Sequence, residues 1–336
     1  MRRRTRLLAA ALIFGSGLAA CGHPAMNSGD VADAPQARLE ALTAADARVA
    51  AVAWKLARAN ADLCPKSRLR VGWTLQSASQ YGSELRPLAE ARYGLDGDLP
   101  GVLAAPPGSP AAEAGLAPGD LILSVDGKAL SRGGASSSGS YEGLEANIAH
   151  LDALAARGPI WLQVRRHGVE RRIDLAPTLA CAYPTQIEVT GTFRSHTDGR
   201  HIFISDRMVE VADDDDQLAF VLAHELAHAV LEHRSQPDVT GSPGQTNQRI
   251  TLNRGLSLRA EPDADHLGLF LLARAGFDPY RAVDFLTRYA EVNPAARYPQ
   301  ANAGGIYESA PARRRTLEPV LADIAARKAA GQALIP

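Results

Sequence analysis

A chain of 336 residues is long enough for two domains, or for one domain carrying an insertion. Hydrophobic content of 46% and charged content of 22% are those of an ordinary globular protein and exclude global disorder. The formal charge of −1 counts Arg2, Arg3, Arg4 and Arg6; without that cluster 32 basic face 37 acidic side chains, a net of about −5, so no nucleic-acid partner, which needs a basic excess, is indicated.

In chain order, the arginine cluster precedes an apolar stretch from Leu7 to Ala20, too short and too rich in Ala and Gly to span a bilayer well. A charged start, an apolar middle and a small-residue exit are the layout of a secretory signal over residues 1–20. The exit, Leu18-Ala19-Ala20-Cys21, resembles the lipobox of bacterial lipoproteins. That resemblance implies lipidation of Cys21, attachment to a membrane through that lipid, and a periplasm-facing place in the bacterial envelope, at the outer membrane. An uncleaved anchor or a plain signal is the alternative. Residues 21–35 are rich in Ala, Gly, Pro, Asp and Ser and read as a flexible tether. With Cys21 lipidated, Cys64 and Cys181 remain in an oxidising compartment, where an even remainder suggests a disulfide; two buried thiols are the alternative.

From Gln36 to Asp62 the residues Leu39, Leu42, Ala45, Val49, Val52 and Leu56 recur at helical spacing, and Leu69 to Leu75 reads as a strand. The texture changes over residues 83–180. Within it, Ser109-Pro110-Ala111-Ala112-Glu113-Ala114-Gly115 reads as a short helix with a glycine terminator, and Pro118-Gly119-Asp120 as a turn. Leu121 to Val125 reads as an apolar strand, and Asp126-Gly127 as a hairpin turn. A helix is predicted over Tyr141 to Ala156, then strands Ile160–Arg165 and Val169–Leu175 joined by His167-Gly168. This order resembles the PDZ domain of bacterial proteases. The resemblance implies a groove at which a peptide adds as a strand, here at Leu99, Gly101, Val102 and Leu103, open to an envelope protein partner. The Gly-Leu-Gly-Phe form of the carboxylate loop is absent, and a PDZ unit that only packs against its neighbour is the alternative. The run Ser131 to Ser140 reads as a loop.

The richest segment follows Asp213 to Gln217. Leu218, Phe220, Val221, Leu222, Leu226, Val230 and Leu231 make a helix apolar around most of its circumference, hence buried, with acidic residues at the end where they cap free amides. A calcium site is the functional alternative for those aspartates. Inside the helix lies His224-Glu225-Leu226-Ala227-His228. Two histidines four apart share one face and can reach one cation, while Glu225, offset by about 100°, can reach a water on it. Burying these three polar groups in an apolar helix costs several kcal/mol unless something pairs with them.

A catalytic zinc needs a third ligand and an open position, and Glu261-Pro262-Asp263-Ala264-Asp265 offers Glu261, with Asp265 one turn on to orient a ligand histidine. Pro262 predicts a helix starting at or just before Glu261. The two motifs, His-Glu-x-x-His and Glu-x-x-Ala-Asp, resemble the M48 metallopeptidases, a gluzincin family, over about Thr190 to Arg315. The resemblance implies one Zn2+ per chain on His224, His228 and Glu261, Glu225 as catalytic base, and His201 to Ser205 as the edge strand along which substrate lies. The family's late His-Pro pair is replaced by Ala310-Pro311, so Arg313, Arg315 or Tyr307 is expected to serve the oxyanion. His233 and His266 read as bystanders, and Ser235 to Leu256 as a mobile loop over the cleft.

The expectation is an α+β fold: a zincin-type metallopeptidase domain, helical with a small sheet, formed by residues 36–82 and 181–336 and interrupted by a PDZ β-barrel-like domain at 83–180. Its substrates would be polypeptides, unfolded or damaged envelope proteins. The rival reading is a PDZ-bearing chaperone or assembly factor with a structural or vestigial zinc site, which the presence of Glu225 disfavours.

Overall fold

The computed structural model describes residues 28–133, 139–232, 247–302 and 305–336. The predicted signal, Cys21 and His233 lie outside the described residues.

Helix α1 (Ser28–Ala59) begins before Gln36, so the segment read as a tether is already helical from Ser28. It is helical despite Gly29 and Pro35, the residue types on which a composition-based tether rests. Leu39, Val49, Val52, Trp54 and Leu56 are buried along its length. The single strand expected over 69–75 is two, β1 (Ser67–Arg70) and β2 (Thr74–Gln76). Gly72 separates them at φ +75°, where a Cβ would stand 2.8 Å from the Trp54 ring.

Helix α2 (Arg86–Tyr93) then packs Leu85 and Ala89 under Leu39 of α1. There follow β3 (Gly101–Ala104), α3 (Pro110–Glu113), β4 (Leu121–Val125), β5 (Lys128–Ala129), α4 (Glu142–Ala155), β6 (Ile160–Arg166) and β7 (Val169–Leu175). The sheet order is β2-β3-β4-β6-β7, antiparallel throughout, with β5 paired to β4. Ser109 caps α3 by accepting from the Ala112 amide (3.1 Å), and Asp126 and Gly127 turn the β4–β5 hairpin at φ 49° and 77°. Val102, Ile122, Val125, Leu151, Leu162 and Val164 form this unit's own core.

Two expectations are corrected here. The sheet starts at Thr74, not at Ser83, because β2 is hydrogen-bonded to β3. For the same reason Leu99, Gly101, Val102 and Leu103 are not an open peptide-binding edge. β3 lies between β2 and β4, Val102 is fully buried, and Leu99 and Leu103 are nearly so. An added strand needs free amides and carbonyls, and on this side of the sheet the outer strand is β2.

The chain returns through β8 (Thr178–Cys181), which pairs antiparallel with β1 from Ser67↔Cys181 to Arg70↔Thr178. This two-stranded neck carries the PDZ-like unit, and a disulfide between Cys64 and Cys181, with Cα atoms 5.5 Å apart, fastens its base.

The rest builds on β9 (Thr185–Glu188), β10 (Ser195–Thr197) and β11 (Ile202–Ser205). The order is β10-β11-β9, with β11 antiparallel to β10 and parallel to β9. The strand at 202–205, expected at the edge, is therefore central; β10 and β9 are the outer strands. After α5 (Asp206–Val211) comes α6 (Asp215–Val230), buried from Gln217 to Ala227. Asp214 caps it by accepting from the Gln217 amide (2.9 Å). Asp213, Asp214, Asp215 and Asp216 pair with Arg288, Arg281, Arg48 and Arg281 respectively, so capping and ion pairs account for the acidic run.

Helix α7 (Asn247–Arg274) packs along α6. It starts well before Glu261, with Pro262 inside it. Pro262 thus removes one backbone hydrogen bond within the helix instead of opening it, and residues 247–256 are helical where a loop was expected. At the crossing, Gly268 lets the helices meet backbone to backbone: a Cβ there would lie 3.1 Å from the His224 amide nitrogen. Asn60, fully buried after α1, donates to the carbonyls of Leu56 (2.9 Å) and Leu271 (3.0 Å) and accepts from Arg274 Nε (2.9 Å), tying α1 to α7. The chain ends with α8 (Pro279–Ala282), α9 (Asp284–Val292), β12 (Gln300–Asn302), β13 (Gly305–Tyr307), α10 (Ala310–Thr316) and α11 (Glu318–Ala329). Among the described residues no helix is long and apolar enough to cross a membrane.

Candidate metal centre

The site lies where α6, α7, α10 and β10 meet. One turn of α6 sets His224 and His228 on the same face, with their Nε2 atoms 3.0 Å apart. α7 brings Glu261 opposite, Oε2 3.3 Å from His224 Nε2 and Oε1 3.4 Å from His228 Nε2. These are the only His, Cys, Asp or Glu residues among those described that gather closely enough for a shared cation.

The spacing itself discriminates. A tetrahedral zinc with ligands at about 2.0–2.1 Å has ligand–ligand edges of roughly 3.3–3.4 Å. The three observed separations lie at or just below that value, and neutral imidazoles with a carboxylate are a donor set zinc accepts. Glu261 Oε2 is buried without a well-aligned hydrogen bond, facing His224 Nε2 at 3.3 Å, an arrangement that a cation between them completes. The residues therefore fit a divalent metal.

His224 is held from behind. Its Nδ1 lies 2.8 Å from Asp265 Oδ1, and since a carboxylate only accepts, Nδ1 donates and Nε2 faces the cation position. Asp265 is 4% exposed and also receives the Arg313 guanidinium through Nε (2.9 Å) and Nη2 (2.5 Å). Burial works against ionising Asp265, but Arg313 and His224 outweigh it and hold the carboxyl well below its usual range. Burial likewise disfavours the His224 imidazolium, yet its bonds to Asp265 and Glu261 push its pKa up to about 10. Glu261 is held low by the two histidines despite its burial. The pocket is thus built to stabilise positive charge, and a metal that binds there must displace protons to do so.

Glu225 points from α6 toward β10, is 4% exposed, and accepts a hydrogen bond from Ser195 Oγ at 2.7 Å. The expected oxyanion groups fare differently. Arg313 is committed to Asp265. Arg315 stands two residues on, about 200° around the same helix, and is exposed. Tyr307 is in β13, where the described residues do not extend to side chains. His266 is exposed and stacks edge-on against Phe270. Sequence reasoning missed Ser195 altogether, since no local motif marks a serine thirty positions before its partner. Nor does any local motif mark the link from Arg313 to Asp265, which joins residues 48 apart.

Two segments of the chain match known families. Residues 190–244 match peptidase family M48, and residues 101–136 match the PDZ domain. The mitochondrial metalloendopeptidase OMA1 of Saccharomyces cerevisiae is 28% identical over 125 residues, which is 32% of this chain and 35% of that protein. The match thus spans about a third of the relative's length.

Proposed function

We propose that this chain, whose α6 segment matches peptidase family M48, is a zinc-dependent endopeptidase in which His224, His228 and Glu261 hold the metal and Glu225 is the general base. One observation carries the reading: two imidazole nitrogens and a carboxylate converge at 3.0–3.4 Å, with the buried Oε2 of Glu261 otherwise unpartnered. The finer architecture proposed with it is zincin-like, with the small sheet β9-β11-β10 beside the metal-bearing helix and the PDZ-like unit inserted at the β1–β8 neck.

When bound, zinc supplies Lewis acidity, lowering the pKa of water and polarising a carbonyl. The chain's own residues do the rest. β10, the outer strand that touches Glu225, offers free backbone groups along which an extended polypeptide can pair. Glu225 takes the proton of the attacking water and delivers it to the departing amine nitrogen. Asp265 keeps the His224 proton on Nδ1, and Arg313 keeps Asp265 ionised. The rival reading, a chaperone with a structural metal, has less support: a structural zinc is closed by four protein ligands, whereas three gather among the described residues, beside a base.

The setting proposed is the bacterial envelope, with attachment through a lipidated Cys21 and polypeptides as substrates. The buried Cys64–Cys181 disulfide supports an oxidising compartment. Casein hydrolysis by the zinc-loaded chain from residue 22 onward tests the activity. Glu225→Gln is expected to keep zinc and fold but lose about 10²–10⁴ in rate. Equal rates in variant and parent would remove Glu225 from the mechanism.

A further inference from the structure

We infer that Ser195 is a positioning residue that aims the Glu225 carboxylate, and that the strand which receives substrate thereby also sets the base. The inference rests on the peptidase reading above. A glutamate on a helix is fixed at Cα but keeps several side-chain torsions, and a base that must meet one water loses rate when it samples others. Here one carboxylate oxygen, Oε1, accepts the Ser195 hydroxyl at 2.7 Å. Because a carboxylate is planar, pinning one oxygen restricts the arc available to the other.

The donor is itself rigidly placed. Ser195 opens β10 opposite Ile204 of β11. Just before it, fully buried Ser205 brackets residue 194: its hydroxyl accepts from the Arg194 amide (3.2 Å) and its amide donates to the Arg194 carbonyl (2.9 Å). The same Ser205 hydroxyl donates to the Thr192 carbonyl. Alternation along the strand sends Ser195 toward α6 while His196 stacks on Phe203 with ring centroids 4.8 Å apart. The hydroxyl therefore reaches Glu225 from β10, an outer strand of the sheet, beside the metal-bearing helix. Movement of β10 as a polypeptide pairs with it moves the base with it.

The test uses the zinc-loaded protein, Ser195→Ala and Ser195→Thr, each alone and in a Glu225→Gln background, with a fluorogenic peptide and casein. Ser195→Ala should retain full zinc and an unchanged melting temperature, lose about 10–100-fold in kcat, and leave KM within about twofold. Ser195→Thr, which restores a hydroxyl, should recover most of the loss. Combined with Glu225→Gln, Ser195→Ala should have no further effect, since it acts only through that carboxylate. Unchanged kcat in Ser195→Ala, an equal loss in Ser195→Thr, or a full additional loss in the Glu225→Gln background would each overturn the inference while leaving the peptidase reading intact. A zinc-loaded wild type that cleaves neither substrate would overturn both.

Discussion

Replacing Arg313 by alanine probes the layer behind the metal site. Asp265 is 4% exposed and has two kinds of partner: the His224 ring at 2.8 Å and the Arg313 guanidinium at 2.9 and 2.5 Å. Arg313→Ala leaves a buried carboxylate with only the histidine. Breaking a buried pair in this way costs on the order of 3–5 kcal/mol, and Arg313's partial exposure argues for the lower end. Loss of the group that fixes a ligand's orientation lowers metal affinity by about 10–100-fold. Arg313→Lys keeps the charge but not the two-pronged contact and should fall between. The sign with pH follows from the direction of the Asp265 shift. A carboxyl held below its unfolded value, which is about 3.9, stabilises the fold at neutral pH and loses that contribution only as acidity passes below that value. The difference between wild type and Arg313→Ala should therefore be flat from pH 8 to 5 and shrink below pH 4. Urea unfolding in chelator and a competitive zinc titration measure the two effects. A variant within 0.5 kcal/mol of wild type and within about threefold in zinc affinity would refute the claim that Asp265 needs Arg313.

Asp46 on α1 behaves oppositely: burial pushes its carboxyl up to about 6, beside Tyr81 and Tyr141 of the PDZ-like unit. Its neutral form is favoured in the fold, so Asp46→Asn should stabilise by about 1–3 kcal/mol at pH 7.5, the gain vanishing as pH falls from 6 to 4. Urea midpoints that differ equally at both pH values would contradict this. Removing the Cys64–Cys181 bond by Cys64→Ala with Cys181→Ala opens a closure of sequence separation 117. The loss should not exceed about 4–5 kcal/mol, because the folded PDZ-like unit already restricts that loop. Zinc content should survive, since neither cysteine touches the metal ligands; loss of zinc at a temperature where the variant remains folded would count against the neck being separate from the site.

Much of the site was legible because helical periodicity is local. His224, Glu225 and His228 fall within five positions, and burial of the surrounding Leu and Val residues follows from composition alone. Asp265 follows Glu261 by one turn, so that pair was legible too. The disulfide was legible as arithmetic on three cysteines. What failed was non-local. Which strand is outermost depends on pairings between residues far apart, so nothing local in the sequence distinguishes β11 from the outer β10, or β3 from the outer β2. Sequence shows the charge of Arg313 but not the buried Asp265 that it meets. Pro262 on local grounds predicts a helix start, whereas the packing of α7 against α6 outweighs the one hydrogen bond it removes.

The central claim is that His224, His228 and Glu261 together hold one zinc. Zinc per chain, measured by plasma mass spectrometry after extensive dialysis, tests it on the wild type and on Glu261→Ala side by side. The expected result is close to one equivalent in the wild type, removable by a strong chelator, and little or none in the variant. One equivalent retained by Glu261→Ala, or none taken up by the wild type from excess zinc, would contradict it.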